Sequence, residues 1–314
     1  MIGVLLMAYG TPKSLDDVEA YLTHIRRGRK PTEEEVEELK DRYRAIGGAS
    51  PLYGITASQA KALQDLLDRK APRRLRVYLA MKHSPPFIVD VVTGMIQDGI
   101  AEVVALVLAP HESRMIIDDY MRYARDVLDT GPDVRVRVIR SWHLNPLYLS
   151  ALARRIEREL AAFPRPGADQ TVVLFTAHSL PEGILARQDP YPTRLEETAR
   201  ALAERLALSH WRRAYQSAGK TPFPWLGPDL LDVLEDLKGE GRSQVLVVPI
   251  GFVADHLEIL YDIDMEAQAK ARELGLTLRR TESLNTDPEF LEGLAEEVLQ
   301  ATAAASRGET NVGF

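Results

Sequence analysis

Apolar, β-branched runs alternate with longer amphipathic stretches along almost the whole chain. The short runs IGVLLMAY (2–9), LRVYLAM (75–81), VVALVLA (103–109), VRVRVIR (134–140), TVVLFTA (171–177), RRAYQS (212–217), QVLVVPI (244–250) and LTLRR (276–280) predict strands. Between them, DDVEAYLTHIRRG, PFIVDVVTGMIQDG, LYLSALARRIERELAAF, RLEETARALAERLAL and DLLDVLEDLKGEG repeat their apolar residues at helical spacing. Such strands separated by amphipathic helices predict an α/β fold, with parallel sheets covered on both faces. The strands fall into two groups of four, with a break near SWHLNPLYL, where Asn145-Pro146 opens a new helix. The expected domains are 1–143 and 144–285, with a final helix over 286–306 packing back on the first. The tail SRGETNVGF has little to bury and is expected to fray.

In open α/β sheets, ligands bind beyond the carboxyl ends of the strands. His83, His111, His143 and His178 each follow a strand within a few residues, His256 follows VVPIGF, and Tyr9 ends the first strand. That gathering predicts a cleft between two domains, lined with imidazoles. His178 is the most pointed case, because FTAHSLPEGI runs a strand into a titratable ring just as the chain leaves the core. His83 and His111 are as compatible with structural or supporting roles as with catalytic ones, and His24 and His210 read as structural.

In DHLEILYDIDME, Glu258, Asp262 and Glu266 are spaced i, i+4, i+8. On an α-helix this puts three carboxylates in a row, each about 6 Å further along the axis. Like charges at that spacing repel, so the row is either a solvated acidic face or a place where a carboxyl shares a proton or a metal. Its position directly after a strand end, on the side of His178, favours the second. A histidine facing carboxylates can ligate a divalent ion or pass a proton to them. His178 and Glu258 are expected to face each other across the gap between the two halves.

Charge narrows the partner. Lys plus Arg number 39 against 46 for Asp plus Glu, and the net charge of −7 argues against a general nucleic-acid role. Yet THIRRGRKP gathers Arg26, Arg27, Arg29 and Lys30 at the end of the first helix, more than compensation of the helix dipole requires. KDRYRAIGGASPL adds Arg42, Tyr43 and Ser50 beside a Gly-Gly turn. A polar, partly cationic rim suits a small molecule bearing several carboxylates. The absence of cysteine excludes disulfides, iron–sulfur clusters and thiolate zinc sites. QSAGKTPFPWLGPDL contains Gly-Lys-Thr without the spacing of a phosphate loop, and Trp225 within it reads as a packing anchor. MIGVLLMAYGTP lacks a basic leader and no apolar run is long enough to cross a bilayer, so a cytoplasmic location is expected.

Together MAYGTP, HIRRGRKP, LKDRYRAIGG, MKH, LAPH, AHSLPE, DPYP, PWLGPD and PIGFVADHLEILYD resemble the ferrochelatase family, and most closely its soluble bacterial coproporphyrin-type members. The likeness runs in order from residue 2 to about residue 290. It implies two similar Rossmann-like, chelatase-like domains, each a four-stranded parallel sheet flanked by helices, and insertion of Fe2+ into a porphyrin. It implies that His178 and Glu258 are catalytic and contact the metal, with Asp262 and Glu266 as a path for protons or the incoming ion. Tyr9 is implied as an axial contact to the product iron, and Arg26, Arg42, Tyr43, Ser50 and Tyr120 as contacts of the porphyrin and its propionates. APHES and MIIDDYM place Glu112 and Ile116 in a loop that the family varies.

Fe2+ is then a substrate, with no permanently bound cofactor and no iron–sulfur cluster. Residues 26–53 are charged and polar rather than an apolar lip, and coproporphyrin carries more propionates than protoporphyrin. Both favour coproporphyrin III, converted to coproheme III in haem biosynthesis. The alternatives are a protoporphyrin IX ferrochelatase, a cobalt or nickel tetrapyrrole chelatase with two histidines on the metal, and a non-catalytic haem or porphyrin carrier. The expected partners are the porphyrin and Fe2+, with no nucleic acid and no transmembrane segment. A monomer is expected, open to transient contact with neighbouring haem-pathway enzymes.

Overall fold

The computed structural model describes residues 1–129, 133–164 and 171–306; the tail expected to fray lies, from residue 307 on, outside the described residues. The chain divides into two compact units, Met1–Trp142 together with the segment from Asn285 onward, and His143–Leu284.

The first unit is built on β1 (Ile2–Ala8), β2 (Leu75–Met81), β3 (Glu102–Val107) and β4 (Arg135–Ile139), in spatial order β2-β1-β3-β4. All neighbours are parallel, with Val4 opposite Val77 on one side and Val104 on the other. The second unit repeats the plan with β5 (Thr171–His178), β6 (Trp211–Gln216), β7 (Gln244–Val248) and β8 (Thr277–Arg280), in order β6-β5-β7-β8, again all parallel. The two groups of four strands read from hydrophobic pattern are therefore the two sheets. Parallel strands covered by crossover helices must be apolar on both faces, and Val4–Met7 and Val245–Val248 are accordingly almost wholly buried. Each such aliphatic side chain contributes on the order of 1.5–3 kcal/mol.

The strand order also fixes where ligands can enter. From β1 the chain moves to one side for β2 and returns to the other for β3, and β5, β6 and β7 do the same. The adjoining loops must part at that reversal, which opens a crevice at the carboxyl ends of the two central strands. Tyr9 follows β1, and His178 is the last residue of β5.

The helices are α1 (Val18–Ile25), α2 (Glu33–Ala45), α3 (Leu52–Lys70), α4 (Ile88–Gln97), α5 (Arg114–Leu128), α6 (Pro146–Ala161), α7 (Tyr191–Arg205), α8 (Leu230–Gly239), α9 (Leu257–Leu260), α10 (Gln268–Leu274) and α11 (Pro288–Ser306). The last packs on α3, β3 and β4 of the first unit, with Phe290 5.8 Å from the Trp142 ring. Helix α2 escapes the hydrophobic pattern because it buries only Val36 and Tyr43. A reciprocal cap, in which the Thr32 hydroxyl accepts from the Glu35 N–H and Glu35 accepts from the Thr32 N–H, starts it instead. Ile116 does not lie in a loop: the Ser113 hydroxyl accepts from its N–H and opens α5, which also carries Tyr120. Among the described residues, no helix is long and apolar enough to cross a membrane.

Candidate active site

At the carboxyl end of β5, His178 is pinned from several directions. The Tyr191 hydroxyl donates to its carbonyl at 3.0 Å, and the next residue, Ser179, donates its N–H to the Gln216 carbonyl at 2.8 Å. On the other side, Gly251 lets the strand β7 exit lie flat against β5. Its N–H donates to the Thr176 carbonyl at 3.1 Å, and a Cβ there would stand 2.6 Å from the Ala177 Cβ. The Tyr148 hydroxyl donates to the Ile250 carbonyl at 2.7 Å and fixes the same turn from α6.

That turn delivers His256 and Glu258. The Glu258 carboxylate lies between two imidazoles, 3.5 Å from His178 Nε2 and 3.4 Å from His256 Nε2. His178 Nδ1 donates to the Ser179 carbonyl and His256 Nδ1 to the Ala254 carbonyl. With Nδ1 committed as a donor, Nε2 is the atom of each ring left to exchange a proton or a metal. Burial disfavours a charged His178, but the Glu258 carboxylate, helped by the Ser179 carbonyl and Asp262, outweighs it and pushes the imidazole up to about 9. Burial likewise opposes ionisation of Glu258, and His178 with His256 overrides it, holding the carboxyl well below the usual carboxylate range. The resting pair is imidazolium and carboxylate.

Two expectations are corrected here. His178 and Glu258 do not face each other from different halves, since both belong to the second unit. Nor do Glu258, Asp262 and Glu266 form a row on one α-helix. Helix α9 ends at Leu260, and Asp262–Ala267 is a π turn in which the Glu266 N–H donates to the Tyr261 carbonyl at 3.0 Å. The carboxylates consequently meet different surroundings. Glu258 is half-buried beside imidazoles, Asp262 is buried and accepts from the Ser217 hydroxyl, and Glu266 is exposed. Ser217 holds φ at +61°, a left-handed conformation that a non-glycine residue adopts only when its surroundings enforce it. The bond to Asp262 supplies that enforcement. Among the described residues, no three or more His, Asp or Glu side chains converge as a metal cage.

Trp225 packs on its own loop, as read from its prolines, and stands near His178. Its ring covers Gly219, its Nε1 donates to the Thr221 hydroxyl at 2.8 Å, and it stands 6.4 Å from the His178 ring.

In the first unit, Tyr9 is 43% exposed at the end of β1. Gly10 follows with φ +95°, where a Cβ would stand 2.5 Å from the Ser84 hydroxyl. The His83 N–H donates to the Tyr9 carbonyl at 2.9 Å, and its ring meets the Tyr9 ring edge-on at 4.6 Å. His83 Nδ1 lies 2.9 Å from His24 Nδ1, one ring donating to the other, and His24 is sandwiched between Phe87 and Tyr123. Burial, reinforced by Lys82, depresses His83 to about 3, so that it is neutral. Lys82 is itself buried, pairs with Asp119 at 2.5 Å, and lies over the rings of Tyr9 and Tyr120. His24 and His83 thus have the structural surroundings considered for them, although they touch Tyr9 or its neighbour.

The basic rim is more neutralised than composition suggested, although Arg27, Arg29 and Lys30 stay exposed. Arg26 pairs with Glu35, Arg27 with Asp119 at 3.3 Å, and Lys30 with Glu19 at 3.1 Å. The Arg26 hydrogen bond is the main cause of a Glu35 pKa near 2. Tyr43 is only 4% exposed and its hydroxyl meets that of Thr11 at 3.1 Å, so it is a wall and not a rim. Arg42 and Ser50 are half-buried, with the Ser50 hydroxyl accepting from the Leu52 N–H at the start of α3. Tyr120 is buried, and burial with neighbouring Tyr9 and Asp119 raises its phenol well above the ordinary value. Among the remaining histidines, His111 is buried, and His143 lies 2.7 Å from Glu197.

Two units, each a four-stranded all-parallel sheet flanked by helices, have the fold of the tetrapyrrole chelatases. SirB of Bacillus subtilis, solved with Fe3+, superimposes over 98% of this chain and 97% of its own at a TM-score of 0.59 and 13% identity, which speaks for fold alone. The model of the family described as Ferrochelatase matches residues 1–302, and the chain belongs to that family. The chain is 49% identical over 290 residues to a ferrochelatase of Herpetosiphon aurantiacus, covering 92% of this chain and 95% of that protein. It is 45% identical over 303 residues to a coproporphyrin III ferrochelatase of Geobacillus kaustophilus, covering 96% of each. The family's members are metal chelatases that insert iron into a porphyrin.

Proposed function

We propose that this chain inserts Fe2+ into coproporphyrin III, yielding coproheme III. The observation that carries the reading is the His178–Glu258 pair, 3.5 Å apart, with the outer nitrogen of His178 held by a backbone carbonyl. Metallation must take two protons from the pyrrole nitrogens and deliver a divalent ion to the same centre. An imidazole whose Nε2 alone is available, backed by a carboxylate, does both in turn. Once His178 has given up its resting proton through Asp262 and Glu266, its Nε2 holds the ion or accepts a pyrrole proton, and Glu258 stabilises the imidazolium formed in the second case. Two donors and no cage suit an ion that must be released to the macrocycle, since a complete set of ligands would retain it.

Tyr9 is assigned to the product iron, and Arg26, Arg42, Tyr43, Ser50 and Tyr120 to the porphyrin and its propionates. The choice of coproporphyrin rests on the names of several relatives and on the polar character of residues 26–53. Anaerobic mixing of the protein with Fe2+ and either coproporphyrin III or protoporphyrin IX, followed by loss of the free-base spectrum, tests it. Metallation of coproporphyrin III at least tenfold faster, abolished in His178→Ala, is the expected result. A faster reaction with protoporphyrin IX overturns the substrate, and no reaction with either overturns the enzyme.

His256 at the same carboxylate supports a second reading, a cobalt or nickel chelatase using two histidines. It requires Co2+ or Ni2+ to be preferred over Fe2+, with His256→Ala as damaging as His178→Ala.

A further inference from the structure

We propose that Arg280 is a positioning residue for the candidate active site, tying down both ends of the segment that carries His256, Glu258 and Asp262. This rests on the function proposed above. Arg280 ends β8, and its side chain is 15% exposed. Its Nε donates to Asp264 Oδ1 at 2.6 Å and its Nη2 to Asp264 Oδ2 at 2.8 Å, a paired fork on one carboxylate. The same Nη2 lies 3.3 Å from Asp255 Oδ1, and Nη1 donates to the Thr281 carbonyl at 3.0 Å, which fixes the plane of the guanidinium. The Ser283 hydroxyl reaches Asp255 Oδ1 at 2.8 Å and holds that end a second time.

Asp255 lies directly before His256, and Asp264 lies in the middle of the π turn. One guanidinium therefore brackets His256, Glu258 and Asp262, and leaves Glu266 beyond its reach. The opposite side is held from the end of β6, where Gln216 Nε2 donates to the Glu258 carbonyl at 2.7 Å and Ser217 donates to Asp262. The segment depends on such support because a π turn is a rare departure from α geometry, one backbone bond longer than the regular ladder. Its relaxation to an α-helix would turn the following side chains by about 100° per displaced residue. Without the fork, Glu258 would lose its fixed place between the two imidazoles. Lysine cannot substitute, because a single ammonium cannot span both Asp264 oxygens and Asp255.

The neighbouring Arg279 provides a matched control. It makes the same kind of contact, with Nε at 3.0 Å and Nη2 at 2.7 Å from Glu159, but on the other face of the strand and away from the candidate site. Arg280→Met, Arg280→Lys and Arg279→Met are to be compared for hydrogen exchange of the amides over 255–268, porphyrin binding by fluorescence quenching, and kcat and KM for Fe2+. The expected result is tenfold or faster exchange over 255–268 in both Arg280 variants and in neither wild type nor Arg279→Met. A fall of at least tenfold in kcat/KM for Fe2+, with porphyrin affinity within twofold of wild type, should accompany it. Unchanged exchange in Arg280→Met, or equal losses in Arg279→Met, overturns the proposal. A wild-type protein that metallates nothing overturns the function instead, and the exchange measurement still decides whether Arg280 clamps the segment.

Discussion

Replacing Glu258 by glutamine isolates what the carboxylate does to His178. The side chain keeps its shape and loses its charge. Moving the imidazole from 6.5 to about 9 corresponds to about 3 kcal/mol of preference for the charged ring. Since 32% of the His178 side chain and 29% of that of Glu258 are exposed, solvent screening reduces this to about 2 kcal/mol. In wild type at neutral pH only about one His178 in a hundred is unprotonated, so metal entry competes with a proton and kcat/KM for the metal climbs about tenfold per pH unit toward 9. Zn2+ insertion into coproporphyrin III between pH 6 and 9.5, free of iron oxidation, is the assay. In Glu258→Gln the rising limb should move well down from 9 toward 6.5, because burial is then opposed only by the Ser179 carbonyl and Asp262. The plateau rate should fall by about 100-fold or more, because the imidazolium formed in the reaction loses its counter-charge. Stability gives a second reading of the same pair. The raised pKa of His178 contributes below 6.5 and is lost as pH climbs through about 9, and the depressed pKa of Glu258 contributes above 4.5 and is lost on acidification. The difference in Tm between wild type and Glu258→Gln should therefore be largest between pH 4.5 and 6.5 and close to zero near pH 10. A rising limb that stays near 9 in the variant refutes the coupling and the role built on it.

Gly251→Ala drives a methyl group against Ala177 and should cost about 1–3 kcal/mol by chemical denaturation, with slowed metallation as His178 shifts; normal stability and rate would show that the β7 exit has slack. The buried, neutral His83 has a folded pKa below its unfolded one, so the protein should lose about 2 kcal/mol between pH 6.5 and 5 from this residue. His83→Gln should flatten that acid limb in urea titrations, and an unchanged limb would assign it elsewhere. Ser217→Ala removes the bond that holds the left-handed residue to Asp262 and should lower Tm by a few degrees, a drop that Ser217→Gly largely avoids because glycine accepts positive φ.

The strands were legible from the sequence because a parallel strand buried on both faces must be apolar throughout, and few other segments meet that demand. QVLVVPI and TVVLFTA marked β7 and β5 to within a residue or two. Helix α2 was not legible, since it is polar on nearly every face and begins through capping rather than burial. His178 and Glu258 could be singled out because each stands just beyond an apolar run. Gln216, Ser217, Asp264 and Arg280 could not, since a Gln-Ser at a strand end and an Arg in LTLRR carry no local signal of what they touch. Their partners lie up to 45 residues away.

By itself the sequence determined the alternation of strand and helix, the two groups of four strands, and the candidate groups placed at strand ends. These are properties of local pattern, which burial and hydrogen bonding impose residue by residue. The tertiary structure decided that His178 and Glu258 belong to one unit, and that the acidic residues follow a π turn and not an α-helical row. It also decided that much of the basic cluster is already paired with carboxylates. Such facts depend on which distant segments share a neighbourhood, and spacing along the chain does not encode that.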